Sequence, residues 1–409
     1  MSKPTVLFIN RVYPQAREQK GRAATGRLLK DMARSFVRAG WDVQILTTGE
    51  TPGLERDGPM RITRIKAPDK PQGAFAYGWI WLRLLIKGLF SKPADIVITM
   101  TDPPLLVVAG NWIARFKDAK HIHWCQDLYP DLFPVLGFKF SGPAMRLMKA
   151  MTFKAMNNAD RIIAIGRCMG EALRKQGVAA AQITIVPNWP DLQLVSDRPS
   201  PPMKDKPLPP GAKAIEDLLT DQPKFRVLYA GTIGLAHPLD TVLDAAKLLH
   251  DTQPDIEFVF VGGGKGFDAL AEERGKRGLE NIRLIPFQPA SRLKDLMESG
   301  DVHLITMKDD AAGMMVPSKL YAALAVARPC IFLGPQDCEA ATVIEDFGAG
   351  MVLPQGNAEK LAAAIKKYRM ESDEWFAAHE GAGEAGSIFK PKESIRVFVE
   401  RAVSVWESI

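Results

Sequence analysis

Pro317-Ser318-Lys319 stands directly before a short apolar pattern, 320–326, that Arg328-Pro329 ends. Proline suits the first helical turn, and Ser318 can accept from a free N–H there. Unpaired N–H groups, the positive end of the helix dipole and the Lys319 ammonium together make a seat for an anion such as a nucleotide diphosphate. The loops Gly231-Thr232-Ile233-Gly234, Gly262-Gly263-Gly264-Lys265-Gly266 and Gly334-Pro335 each follow a short apolar run. Glycine lets backbone N–H groups approach phosphate oxygens closely. His237, beside Gly234, could touch a phosphate or be an ordinary loop histidine. Asp127 and Asp131 lie in CQDLYPD, after the apolar run 120–124. A carboxylate in reach of a hydroxyl can take its proton as a new bond forms. Turn and cap roles are the alternative, for Asp131 especially, since it follows Pro130. The sequence has no His-Glu-x-x-His, no paired metal spacing and no Asp-x-Asp, so no metal is expected.

The elements that must position these residues alternate between strand and helix. Residues 5–10 read as a buried strand, 25–39 as a helix ended by Gly40, and 41–46 as the next strand: a βαβ unit. The segment 21–26 lacks the second glycine of G-x-G-x-x-G, which argues against a dinucleotide. Further strands are expected at 94–99, 120–124, 159–165 and 183–186. Residues 197–211 hold six prolines and no apolar period, which marks a linker. The alternation then restarts, with strands at 225–229, 256–261, 283–285, 302–305 and 330–333. Polar loops at the C-terminal ends of parallel strands line the usual ligand crevice.

With 409 residues, 46% of them hydrophobic, the chain suits two domains. Four scattered cysteines suggest neither a disulfide framework nor a zinc site. The net charge of +6 divides unevenly: 28 Lys+Arg against 14 Asp+Glu over 1–190, and 25 against 33 beyond. The basic part suits an anionic membrane or polyanionic acceptor; the acidic part excludes general nucleic-acid wrapping. Arg27, Lys30, Arg34 and Arg38 share one helical face, which reads as a solvated stripe or as contact with lipid headgroups. The apolar segment 75–90 is interrupted by Arg83 and Lys87 and is too short to span a bilayer. It reads as a core helix, or as one lying at a membrane interface with Trp79 and Trp81 as anchors. No leader-like pattern opens the sequence, so a cytoplasmic protein, peripheral on the inner face of the cytoplasmic membrane, is expected.

In order and spacing these motifs resemble the GT-B glycosyltransferases of retaining family 4. The resemblance rests on TVLFIN with the Gly21 loop, ADRIIAIGRCMGEALRKQGVAAAQITIVPN, LYAGTIG, FVFVGGG and VPSKLYAALAVARPCI. The variant with PNW and PSKLY is similar to bacterial enzymes that build surface polysaccharide, lipopolysaccharide or glycolipid. It implies an α/β chain of two Rossmann-like, doubly wound domains facing across a cleft. Residues 1–190 would bind the acceptor, 191–224 link, 225–386 bind the nucleotide sugar, and the helix in 387–409 return toward the first domain. The implied donor set is Gly21, Gly231, Thr232, Gly234, Gly263, Gly264, Phe287, Gln288, Pro317, Ser318, Lys319 and Leu320, with no cofactor beyond the nucleotide-sugar substrate. The family's two glutamates align with Met314 and Ala322, and its basic pair with Leu235 and His237. Lys319 and Lys265 are therefore expected to neutralise the diphosphate, and Asp309 or Asp310 to replace the sugar-binding carboxylate. The implied reaction is metal-independent transfer with retention to a lipid-linked or glycan acceptor, Asp127 acting as base and Lys319 on the leaving group. A sugar-nucleotide epimerase and a non-catalytic glycan-assembly scaffold are the competing readings.

Overall fold

The computed structural model describes residues 3–14, 24–69, 71–195 and 224–408. Gly21 and most of the proline-rich linker lie outside the described residues. Strands β1 (Thr5–Ile9), β2 (Asp42–Gly49), β3 (Gly53–Asp57), β4 (Met60–Lys66), β5 (Ile96–Thr99), β6 (Lys120–Cys125), β7 (Arg161–Ala164) and β8 (Ile183–Ile185) form one sheet. Its order is β3-β4-β2-β1-β5-β6-β7-β8, parallel except for the β3–β4 hairpin. Helices α1 (Ala24–Arg38), α2 (Gly73–Leu89), α3 (Leu106–Lys117), α4 (Leu132–Val135), α5 (Gly142–Asn158) and α6 (Arg167–Lys175) connect the strands. Side chains alternate across β1 and divide the helices between the faces. Val6 and Phe8 meet Leu28 and Phe36 of α1, while Leu7 and Ile9 meet Leu84 of α2 and Ile113 of α3. The strand order reverses between β1 and β5, which opens a crevice at their C-terminal ends.

A second, all-parallel sheet holds β9 (Phe225–Thr232), β10 (Ile256–Gly263), β11 (Ile282–Pro286), β12 (Val302–Thr306), β13 (Cys330–Leu333) and β14 (Gly350–Leu353), in the order β11-β10-β9-β12-β13-β14. Helices α7 (Asp240–His250), α8 (Lys265–Arg277), α9 (Leu293–Glu298), α10 (Lys319–Ala325), α11 (Glu339–Asp346), α12 (Ala358–Met370) and α13 (Ser372–Ile388) accompany it. Its switch falls between β9 and β12, which places the loop before α10 at that crevice. The last helix, α14 (Pro391–Trp406), belongs to the first core. Phe398 stands edge-on to Trp124 at 5.0 Å, and Trp406 to Trp41 at 5.6 Å.

The basic stripe of α1 has partners within the chain. Arg27 pairs with Asp31 and donates to the carbonyls of Trp189 and Pro190 at 2.8 and 3.0 Å. Lys30 and Arg34 both reach Asp57 of β3, at 3.1 and 3.5 Å, and Arg38 donates to Ser35 Oγ. The basic stripe is thus largely spent on the chain's own carboxylates, carbonyls and hydroxyls. On α2, Trp81 is also held inward, its Nε1 donating to the Leu105 carbonyl at 3.1 Å, and Arg83 donates to the Lys66 carbonyl. Trp79 and Lys87 remain exposed. Among the described residues, no helix is long and apolar enough to cross a membrane.

Candidate active site

The β9 and β10 loops are laced together by glycine. Gly231 has φ +123°, and a Cβ on Gly262 would lie 2.0 Å from the Gly231 carbonyl oxygen. Ile233 N–H donates to Gly263 O at 2.9 Å. Lys319, the first residue of α10, reaches onto these loops. Its Nζ donates to the Thr232 carbonyl at 3.1 Å and stands 4.8 Å from the centroid of the Tyr229 ring. Burial lowers its pKa to about 8. Gly264 precedes α8, with Lys265 exposed at its start, and the Phe287 ring packs against Gly263. Gln288 is half-buried, and its amide donates to the Pro286 carbonyl. His237 donates from Nδ1 to Thr306 O at 2.6 Å, beside Gly234. Burial first, then the Lys319 charge, holds it neutral, with its pKa lowered to about 3. Gly262→Ala should cost about 1–3 kcal/mol by overpacking and weaken nucleotide binding, which denaturant melts and titration calorimetry on the same variant would show.

The other expected donor groups lie at the start of α10 and on the turn before it. Ser318 has helical backbone angles and makes no side-chain cap bond. Leu320 is a core residue whose N–H donates to Pro317 O, and Pro317 is itself buried. Asp309 and Asp310 are exposed on a 3₁₀ turn that packs against α4, and among the described residues no bond joins either to Lys319. Ala322 is partly buried against Leu194, Met297 and Val326.

Asp127 follows β6 and meets the Lys319 loop directly. Its backbone forms an antiparallel bridge with Met315, and Leu128 N–H donates to Met314 O at 2.7 Å. Lys319 comes four residues after that bridge, so one segment spans both sheets' crevices. Burial, and then the charge of Asp102, raises the Asp127 pKa to about 7. Asp102 is itself paired with Arg11 at 2.7 Å. Asp131 instead pairs with Lys149 of α5, which makes it a structural partner. Gln126 and Asn188 exchange two amide hydrogen bonds, at 3.0 and 2.8 Å, and Trp189 stacks on Trp124. These contacts fix the loop that carries Asp127.

A small cleft adjoins Asp127 and is lined also by Thr101, His123, Tyr129 and Thr152. The Thr101 and Thr152 hydroxyls are buried without a partner among the described residues. Thr99 Oγ1 lies 2.9 Å from His121 Nε2 and 3.0 Å from His123 Nδ1. Both imidazoles are held neutral by burial, with pKa values lowered to about 3. His121 Nδ1 has no partner, and an orphaned acceptor is cheaper to bury than an orphaned N–H. His121 therefore donates from Nε2 to Thr99. Sequence reading missed Thr101, His123 and Thr152. The alternation of His121 and His123 on one face of β6, in register with Thr99 of β5, was the available signal.

The two halves also touch through Glu339 of α11. Its carboxylate accepts from the Arg167 backbone N–H and guanidinium at the start of α6, and Arg167 pairs further with Asp346.

Two sheets of this topology, their crevices joined by one segment, are those of the GT-B fold. Family models agree in chain order: "Glycosyl transferase 4-like domain" matches residues 24–189, and "Glycosyl transferases group 1" matches 212–375. The chain belongs to these glycosyltransferases. It is similar to the putative colanic acid biosynthesis glycosyl transferase WcaI of Escherichia coli K12, at 29% identity over 68% of this chain and 66% of that protein. Sucrose-phosphate synthase from Thermosynechococcus elongatus shares the fold at TM-score 0.74, with 14% identity over the whole of both chains. Anabaena HepE, solved in complex with UDP-glucose, does so at TM-score 0.70, with 16% identity over 98% of this chain and 99% of that one.

Proposed function

We propose that the protein transfers a glycosyl unit from a nucleoside-diphosphate sugar to a hydroxyl of a lipid-linked or surface-glycan acceptor, with retention and without a metal ion. The observation that carries this is the segment 314–319, whose backbone pairs with the Asp127 loop at one end and whose Lys319 lies on the glycine loops at the other. The donor diphosphate would rest against Lys319, Lys265 and the loop N–H groups. The acceptor would enter the cleft beside Asp127. Its oxygen bonds to the anomeric carbon on the same face that the diphosphate leaves, as the bond from that carbon to the diphosphate breaks, so the configuration is kept, and its proton passes to Asp127. Lys319 offsets the charge left on the diphosphate. Holding both reactants between the two domains supplies the rest of the advantage.

The colanic acid name of the Escherichia coli relative, and the fold shared with WaaG of lipopolysaccharide biosynthesis, favour a bacterial surface-glycan role. The UDP-glucose bound by HepE favours a UDP-sugar as donor. A lipid-linked acceptor would be met at the inner face of the cytoplasmic membrane by a peripherally bound protein. Screening nucleotide sugars by thermal shift tests the donor seat: a true donor at a hundred times its Kd adds about 2.7 kcal/mol of stability. With that donor, transfer should run at the same rate in excess chelator. No shift from any nucleotide sugar, or a rate abolished by chelator, would defeat the corresponding part of the proposal. Interconversion of free sugar nucleotides without acceptor would point to an epimerase, and binding without turnover to a scaffold.

A further inference from the structure

Three neighbouring helices carry a surface that neither the donor loops nor Asp127 uses, with α3 packed between α2 and α5. On α2 and at its end, Phe75, Trp79, Ile86 and Phe90 are 89%, 55%, 48% and 77% exposed; on α3, Trp112 and Phe116 are 52% and 64% exposed. The Phe90 and Phe116 rings lie 6.5 Å apart, and Trp112 stands 6.1 Å from Trp81, so the two rows make one patch. Leu147 and Met151 of α5 are exposed beside it. Single exposed hydrophobic residues are ordinary, but a contiguous aromatic patch marks a contact site. The charges on these helices have one sign: two basic residues on α2, two on α3 and three on α5, with no Asp or Glu on any of them. Arg83 and Lys117 are held by backbone carbonyls and Lys149 by Asp131, which leaves Lys87, Arg115, Arg146 and Lys154 to face a partner. Leu106 and Val107 of α3, with Thr152 and Met156 of α5, also wall the cleft beside Asp127. The same two helices thus bear the patch on one side and the cleft on the other.

We propose that the α2–α3–α5 face docks on an anionic lipid bilayer, its aromatic rings at headgroup level and its lysines and arginines on lipid phosphates. A second copy of this chain would set like charges against one another, and helices that carry no Asp or Glu offer little complement to a basic protein. The proposal rests on the glycosyl-transfer reading in one respect, that a lipid-linked acceptor would be reached from this surface.

The test is flotation of the whole protein with vesicles of equal parts phosphatidylglycerol and phosphatidylcholine, and with phosphatidylcholine alone. The protein should rise with the anionic vesicles at low salt and less so at high salt. Each basic residue removed should weaken partition about fivefold, so Lys87→Glu, Arg115→Glu and Lys154→Glu combined should lose about a hundredfold or more. Trp79→Ser, Phe90→Ser and Phe116→Ser combined should lose binding even at low salt. Arg34→Gln with Arg38→Gln on α1 should change nothing. Wild type that stays with the soluble fraction, patch variants that float like wild type, an α1 variant that loses binding, or a chain that self-associates through the patch in place of floating would each overturn the proposal. The nucleotide-sugar thermal shift, measured on every variant, separates the two readings. A retained shift with lost flotation shows an intact donor seat, and flotation with no shift from any nucleotide sugar sinks glycosyl transfer alone.

Discussion

Lys319→Met should lower the rate of transfer by about 10²–10³-fold, with a smaller loss of donor affinity. Methionine keeps most of the apolar stem that passes Gly231 and faces the Tyr229 ring, so the variant removes charge with little change in packing. The donor diphosphate carries charge before and after reaction, but the charge on its terminal phosphate grows as the glycosidic bond breaks. An ammonium held on the glycine loops therefore matters most in the transition state, and the loss falls on kcat. Lys319→Arg should not rescue the rate. A planar guanidinium is too broad for a site where a Cβ on Gly231 would already lie 3.3 Å from the lysine stem. A rate within a few-fold of wild type in Lys319→Met would remove the lysine from the chemistry and leave the loop N–H groups as the phosphate site.

The pH dependence of kcat/KM should be a narrow bell. Asp127 acts as a base only when ionised, and burial with the Asp102 charge raises its pKa to about 7, so activity rises as pH passes through that value. Lys319 serves only when protonated, and burial lowers its pKa to about 8, so activity falls as pH passes through that value. Bound diphosphate stabilises the ammonium, so the alkaline limb of kcat should lie higher than that of kcat/KM. Asp102→Asn removes the lesser of the two causes acting on Asp127. The acidic limb should then move to lower pH while staying above the ordinary carboxylate range, since burial remains. Asp127→Asn should cost about 10²–10⁴-fold and erase the acidic limb. An acidic limb that persists in Asp127→Asn would assign the base elsewhere, with the donor's own leaving phosphate the nearest chemical alternative.

Much of the fold was legible because buried parallel strands announce themselves as short apolar runs. Residues 330–333 and 120–124 needed no tertiary information, and the glycines after β9 and β10 marked where the chain turns toward the crevice. α5 was not legible. Leu147 and Met151 on its outer side are as apolar as Met156 on its inner side, and they interleave with Arg146, Lys149 and Lys154, which blurs the helical period. The pairing of the basic stripe of α1 was hidden for a different reason. Its partners Asp57 and Asp191 lie 27 and 164 residues from Lys30 and Arg27, and no local pattern foretells that pairing. Within the site, the glycine loops and Lys319 followed from residue type, whereas Asp309, Asp310 and Leu320 were placed by alignment alone. A short turn holds the first two and the core holds the third.

The place of α14 bears on how the chain comes to be folded during synthesis. Trp124 and Phe36 wait for Phe398, and Trp41 waits for Trp406. Trp189 leaves the ribosome about 200 residues before Phe398. At about 5–20 residues per second that interval is roughly 10–40 s. Throughout it the first sheet has its strands but not its covering helix, and an aromatic face lies open while the second domain is being made. The first domain is then complete only after the second, so its exposed core in that interval is the stretch on which a chaperone would act and at which aggregation of nascent chains would begin.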